Sequence, residues 1–249
     1  VAWAVDVMGS RVVKNPPDSG GRWLGVPPRR LPGWVADFAR RHGGTTADAS
    51  LETTVTSEDV IFAAPDGAIA KCQPPFWESR AAVAAGAPAS EVASAITAHA
   101  LAERTVGVLL VRLGGYAVGV FTGSPPDLAA SKTGSRLVHG RSAAGGWSQQ
   151  RFARRREKQA AEALAAAAGA AVQTWSGWGG GKDRSGLDVV VFGGDKRAIA
   201  EVTGDPRLAP YLDLATGRFL TVPDPRLVVL KEAPRLFLAV RIWLTEPGA

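Results

Sequence analysis

Residues 139–158 read HGRSAAGGWSQQRFARRREK, and the fold turns on where this stretch changes character. Apart from Arg141, Gly140 to Gly146 is Gly, Ala and Ser, a backbone able to approach another molecule closely. Arg151 to Lys158 is instead dense in cations, which points to a polyanion. Trp147, Gln149 and Gln150 lie between the two, and the loop holds no ordinary acid, base or nucleophile.

Downstream, the spacing predicts one long helix over 148–175, with Ser148 as a candidate N-cap and Ala160, Leu164, Ala167 and Ala171 on one stripe. Arg151, Arg155 and Lys158 fall at i, i+4 and i+7 and share a face near the helix start. Positive charge there opposes the helix dipole, so a structural helix would prefer Asp or Glu, and a bound anion is the natural compensation.

Charge bookkeeping agrees. Lys132 to Lys158 holds eight Lys and Arg against the single acid Glu157, whereas the rest of the chain carries 21 basic and 22 acidic residues. One segment therefore carries the whole excess of the net +6. A solvated face interleaves both signs; a one-signed patch beside a glycine-rich loop predicts phosphate contacts.

Upstream, TVGVLLVRLGGYAVGVFTG (105–123) reads as two apolar strands around Gly114-Gly115, and SKTGSRLVHG (131–140) as a third, more polar strand. After the long helix come a buried-type strand in GLDVVVFGG (186–194), a short helix in DKRAIAEVTG (195–204) and a loop with a helical turn in DPRLAPYLDLATG (205–217). RLFLAVRIWL (235–244) alternates Leu236, Leu238, Val240, Ile242 and Leu244 and reads as a strand with one buried face. Nearer the start, RLPGWVADFARRHGG (30–44) predicts a short helix closed by glycine. LETTVTSEDVIFAAPDGAIAKCQPPF (51–76) predicts two strands about Pro65-Asp66-Gly67, and ASEVASAITAHALAE (89–103) a helix with Ser90 as N-cap. At 249 residues there is room for two modest domains. The expected division is an N-terminal α+β domain at 1–100, a catalytic domain at 101–225 and a C-terminal strand segment at 226–249.

Several chemistries are disfavoured. GWGGGKD resembles a phosphate loop, but Ser176 stands where its first Gly is needed and Asp183 where Ser or Thr would hold magnesium. His42, His99 and His139 have no ligand-spaced partners, and Cys72 is the only cysteine, so neither a metal centre nor a disulfide is expected. No G-x-S-x-G elbow occurs. The start lacks a basic n-region and no run of 18 apolar residues exists, which predicts a soluble cytoplasmic protein without a membrane partner.

Anchored on RFARRR, the opening stretch resembles the catalytic loop of eukaryotic and archaeal class-one translation release factors, whose motif is G-R-G-G-Q-S-x-x-R-F-A-R-x-R. Gly145, Gly146, Ser148, Arg151, Phe152, Ala153, Arg154 and Arg156 match it. The likeness extends over about residues 105–225, including DPRL at 205–208. Trp147 departs from it by replacing the Gln of Gly-Gly-Gln. A second branch, the Vms-like release factors of ribosome quality control, carries a shifted G-x-x-Q motif, and GWSQ (Gly146 to Gln149) is similar to the actinobacterial members of that branch.

The resemblance implies an α+β fold with a mixed-sheet catalytic domain and a projecting Gly/Gln loop. It also implies a cofactor-free peptidyl-tRNA hydrolase that rescues stalled large ribosomal subunits without reading a codon. Gln149 is the first candidate for the functional Gln and Gln150 the second, with Gly145 and Gly146 shaping the loop. Arg141, Arg151, Arg154, Arg155 and Lys158 would hold rRNA and tRNA phosphates, which position but do not specify sequence. Trp147 has two readings, stacking on a base or anchoring the loop. The alternatives are a nuclease trimming the tRNA CCA end and a non-catalytic RNA-binding or ribosome-docking module.

Overall fold

The central strand of the catalytic region follows from its composition. Val106 to Val111 is buried at every position, as expected of a strand covered on both faces. In the computed structural model, which describes residues 20–43, 51–77, 86–112, 114–135, 148–178 and 186–247, this strand is β5 (Val106–Arg112). For 148–157 the backbone path is described. Two five-stranded sheets result, and the chain divides into two compact units, one containing Glu103–Ala233 and the other the described residues up to Ala102 together with those from Pro234. The fold is mixed α+β.

The first unit is built on an antiparallel sheet of order β1-β10-β4-β3-β2. Its strands are β1 (Arg22–Val26), β2 (Glu52–Val55), β3 (Val60–Ala63), β4 (Ile69–Gln73) and β10 (Val240–Thr245). β10, from the end of the chain, lies between β1 and β4. Helices α1 (Leu31–Arg41) and α2 (Ala89–Ala100) supply Leu31, Val35, Phe38, Val92 and Ile96 to a core shared with Phe62, Cys72 and Ile242. Gly43 beyond α1 has φ +110°, the left-handed conformation anticipated for a glycine cap.

Three details differ from the sequence reading here. The stretch before Pro65 forms two strands because Thr56 turns the chain: its Oγ1 accepts from the Asp59 N–H at 2.9 Å. Ser90 is not the N-cap; Pro88 holds that position with φ −56° and ψ 149°, and the helix starts at Ala89. Leu236 and Leu238 are not strand residues. Helix α5 (Leu227–Phe237) runs through Pro234 and buries Leu230, Ala233 and Phe237, a helical spacing that leaves Leu236 exposed.

The second unit has sheet order β7-β6-β5-β8-β9, with β6 (Gly115–Thr122), β7 (Asp127–Ser135), β8 (Val189–Gly194) and β9 (Ala215–Leu220). β5 pairs antiparallel with β6 and parallel with β8, so the sheet is mixed. Gly114, with φ +102°, makes the β5–β6 turn. β7 starts at Asp127, earlier than its sequence suggests, because an exposed edge strand need not alternate. ATGRFL at 215–220 is a strand rather than part of a loop.

Helix α3 (Ser148–Ser176) crosses this sheet, with α4 (Lys196–Thr203) beside it. Asp195 caps α4 by accepting from the Ala198 N–H at 2.9 Å.

Candidate functional site

The site expected from the sequence lies at the start of α3, so the anchoring of that helix decides where the site is held. Ala167, Ala168, Ala170, Ala171 and Trp175 are all buried, packed with Leu109, Val118, Val120 and Tyr211. Small alanines let the helix approach the sheet closely, and Trp175 fills the remaining depth. Its Nε1–H donates to the Gly119 carbonyl at 3.3 Å and its ring lies 5.1 Å from that of Tyr211. Gly107 makes room for it: a Cβ there would stand 3.2 Å from the indole and 2.7 Å from Leu187 Cδ1.

The other half of α3 behaves differently. From Lys158 to Ala166 no residue is buried. At 1.5 Å rise per residue, Gln149 sits about 27 Å along the axis from Ala167, the first buried residue from Lys158 onward. Gln149 and Gln150 are within the first turn of α3, as the helix expected over 148–175 places them, where backbone N–H groups lack intrahelical acceptors. That turn has no acidic residue. The helical backbone brings positions 151, 155 and 158 onto one face, with 154 beside them, and Lys158 is exposed. Arg141, Gly145, Gly146 and Trp147 lie outside the described residues.

Two contacts brace the frame behind this helix. Thr105 N–H donates to Asp188 Oδ2 at 2.7 Å while Asp188 N–H donates to the Thr105 carbonyl at 2.9 Å, which fixes the start of β5 against that of β8. In DPRL, Asp205 accepts from the Arg207 N–H at 3.0 Å and from Arg207 Nη2 at 2.7 Å, and the turn it caps at Pro206–Leu208 lies against α3. The Arg207 guanidinium, then its backbone N–H, hold the Asp205 carboxyl down to a pKa of about 2. Because the folded-state pKa is depressed, the contribution of this pair is present above pH 4 and is lost as pH falls through 2. A carboxyl-carbon NMR titration should place Asp205 near 2 in the folded protein, and Arg207→Gln should return it toward 3.8; a wild-type value near 4 would contradict the pairing.

The scaffold residues Gly107, Trp175 and Arg207 were not singled out as functional from the sequence, although Trp175 continues the Ala167, Ala171 stripe by one step of four. An open groove lined by Ser131, Lys132, Gln173, Thr174 and Trp178 lies at the far end of α3. Its Gln173 is about 36 Å along the helix from Gln149, so it is no part of this site. Among the described residues no three His, Cys, Asp or Glu gather as metal ligands, and no helix is long and apolar enough to cross a membrane.

The site is thus framed by a mixed sheet bearing a long helix whose first turn carries Gln149 and Gln150 and whose next turns carry Arg. The family model described as the actinobacterial and chloroflexi VLRF1 release factor matches residues 104–243. The chain belongs to that family. The match runs past residue 225 and takes in β10 as far as Trp243.

Among solved structures, the chain is similar to the Vms1 mitochondrial localization core, with 10% identity, a TM-score of 0.33 and 78% of each chain covered. It is also similar to the archaeal translation termination factor aRF1, with 14% identity and a TM-score of 0.35, covering 85% of this chain and 62% of that one. The chain thus spans less than two thirds of the archaeal factor. No curated protein matches it.

Proposed function

We propose that this protein is a ribosome-rescue release factor that hydrolyses the ester between a nascent peptide and tRNA on stalled large ribosomal subunits, independently of a codon. The observation that carries the reading is the position of the GWSQ segment, in a chain of the VLRF1 release-factor family. Its Ser148 and Gln149 lie where α3 begins, Gln149 about 27 Å along the helix from the buried Ala167. A reach of that kind suits a site that must enter a crowded RNA cavity while its domain stays outside.

Water is the nucleophile and the tRNA 3′-oxygen the leaving group, so no strong protein base is required. Donors are required where negative charge develops, and an N–H in the Gly146 to Gln149 segment serves that role. Gly145 and Gly146 permit a path that a Cβ would block. The Gln149 amide, with Gln150 as the second candidate, orients the water without bringing a charge to desolvate. Trp147 either stacks on a base or anchors the segment.

Arg141, Arg151, Arg154, Arg155 and Lys158 neutralise rRNA and tRNA phosphates. Replacing Arg151 and Arg155 together by Ala is expected to weaken binding to large subunits and to lower the slope of log affinity against log salt by about 1 to 2. An unchanged slope in a sedimentation titration would remove these residues from the phosphate contacts.

The N-terminal unit is proposed to dock on the exposed subunit. The reading as a whole is tested by offering the protein labelled peptidyl-tRNA either bound to purified large subunits or free in solution. Release from the subunits alone is expected; equal hydrolysis of free peptidyl-tRNA would replace rescue with a general hydrolase.

A further inference from the structure

The sheet of the first unit has one face committed and one face with a different composition. Leu24, Ile242, Cys72 and Val60 stand in register toward the α1 and α2 core. Alternation puts their neighbours Trp23, Trp243, Lys71 and Ile61, also in register, on the opposite face. Arg241 lies on that face two residues before Trp243, with Gly25 and Gln73 at its sides. Neither α1 nor α2 packs on it.

Two aromatics meet there across the β1–β10 pair, with the Trp23 and Trp243 rings 5.3 Å apart at 60°. The Arg241 guanidinium lies 4.5 Å from the Trp23 ring centroid. Lys71 is held by Asp59 at 2.9 Å, whereas Arg241 has no carboxylate within ion-pair distance among the described residues. Burial pulls the Arg241 pKa below its ordinary value, so part of its hydration has been given up, with a π-face in return among the described residues. Beside it, Gly25 leaves open space among the described residues: a Cβ there would meet none of them nearer than Ala239 Cβ at 3.9 Å.

We propose that this face, centred on Trp23, Arg241 and the opening at Gly25, binds single-stranded RNA. The charge it lacks is negative, which fits a phosphate. Its flat groups are the Arg241 guanidinium plane over the Trp23 indole and, beside them, the Trp243 indole, against which Gly21 lies and whose Nε1 is buried; unstacked bases pile on exposed planes of this kind. A paired helix would hide its bases from such a platform, so a single strand is the form recognised. The proposal rests on the first unit alone and stands apart from the reading of Gln149.

The test uses the full chain and a fluorescein-labelled 20-nucleotide oligouridine, with a duplex of equal length as comparison, followed by anisotropy. Arg241→Gln is expected to weaken single-strand binding by about ten-fold or more. Gly25→Val, which suits a strand and removes no charge, is expected to do the same by filling the opening. The Trp23 and Trp243 indole N–H resonances should shift during the titration.

Unchanged affinity in Gly25→Val, with native circular dichroism, overturns the proposal even if Arg241→Gln fails to fold. Equal binding of duplex and single strand, unaffected by both substitutions, assigns the RNA to the basic helix and also overturns it. Displacement of neither indole signal by RNA, but of both by a Glu-rich peptide, would make the face a protein-docking surface instead.

Discussion

Trp175→Ala is expected to destabilise the second unit by about 3 to 5 kcal/mol, the range for emptying a buried aromatic site. The residue is fully buried, bonds the Gly119 carbonyl and packs on Tyr211, and it is the largest side chain joining α3 to the sheet. Around it stand alanines, which cannot collapse into the space an indole leaves. Against a total stability of about 5 to 15 kcal/mol, such a loss unfolds an appreciable fraction of molecules. The urea midpoint of the slower-melting or faster-melting transition, followed by far-ultraviolet circular dichroism, measures it; a change below about 1 kcal/mol would mean that α3 is held by something other than this contact.

Gln149→Ala is expected to lower the rate of peptide release by about 10² to 10³ while leaving affinity for the large subunit unchanged. The separation follows from the division of labour along α3. On the proposed function, positions 151, 154, 155 and 158 carry the charge that would hold RNA, and the amide at 149 carries none. Under that proposal its removal leaves the phosphate contacts intact and takes away the group assigned to orient water at the ester. Gln150→Ala should have a smaller effect, because the G-x-x-Q spacing from Gly146 falls on Gln149. Equal losses in binding and release would make Gln149 a structural residue of the helix start.

The sequence made some of this legible and left the rest hidden for physical reasons. α3 could be bounded because its alanine stripe repeats at helical spacing without Gly or Pro to interrupt it until Gly169, which the helix tolerates. β5 and β6 could be placed because Gly114-Gly115 separates two unbroken apolar runs. The helix at Leu227–Phe237 was hidden because Leu236, Leu238, Val240, Ile242 and Leu244 alternate across a boundary, Leu236 being an exposed helix residue whose parity with the strand is accidental. β9 was hidden because Thr216, Gly217 and Arg218 read as a turn, while pairing with β8 is a tertiary effect.

The site divides in the same way. Charge and spacing alone predict an anion-seeking helix start, and only the likeness of Gly146 to Gln149 and of RFARRR to a known motif points to an ester. The distance from Ala167 to Gln149 had no sequence signature, because alanines at 160–171 look alike whether the sheet beneath them continues or stops.

Peptide release from purified large subunits carrying labelled peptidyl-tRNA, with the freed tRNA 3′ ends sequenced, tests the central claim most directly. The account predicts release by the wild-type protein, dependence on Gln149 and an intact CCA end. A trimmed CCA end, or tight binding without any release, would contradict ester hydrolysis.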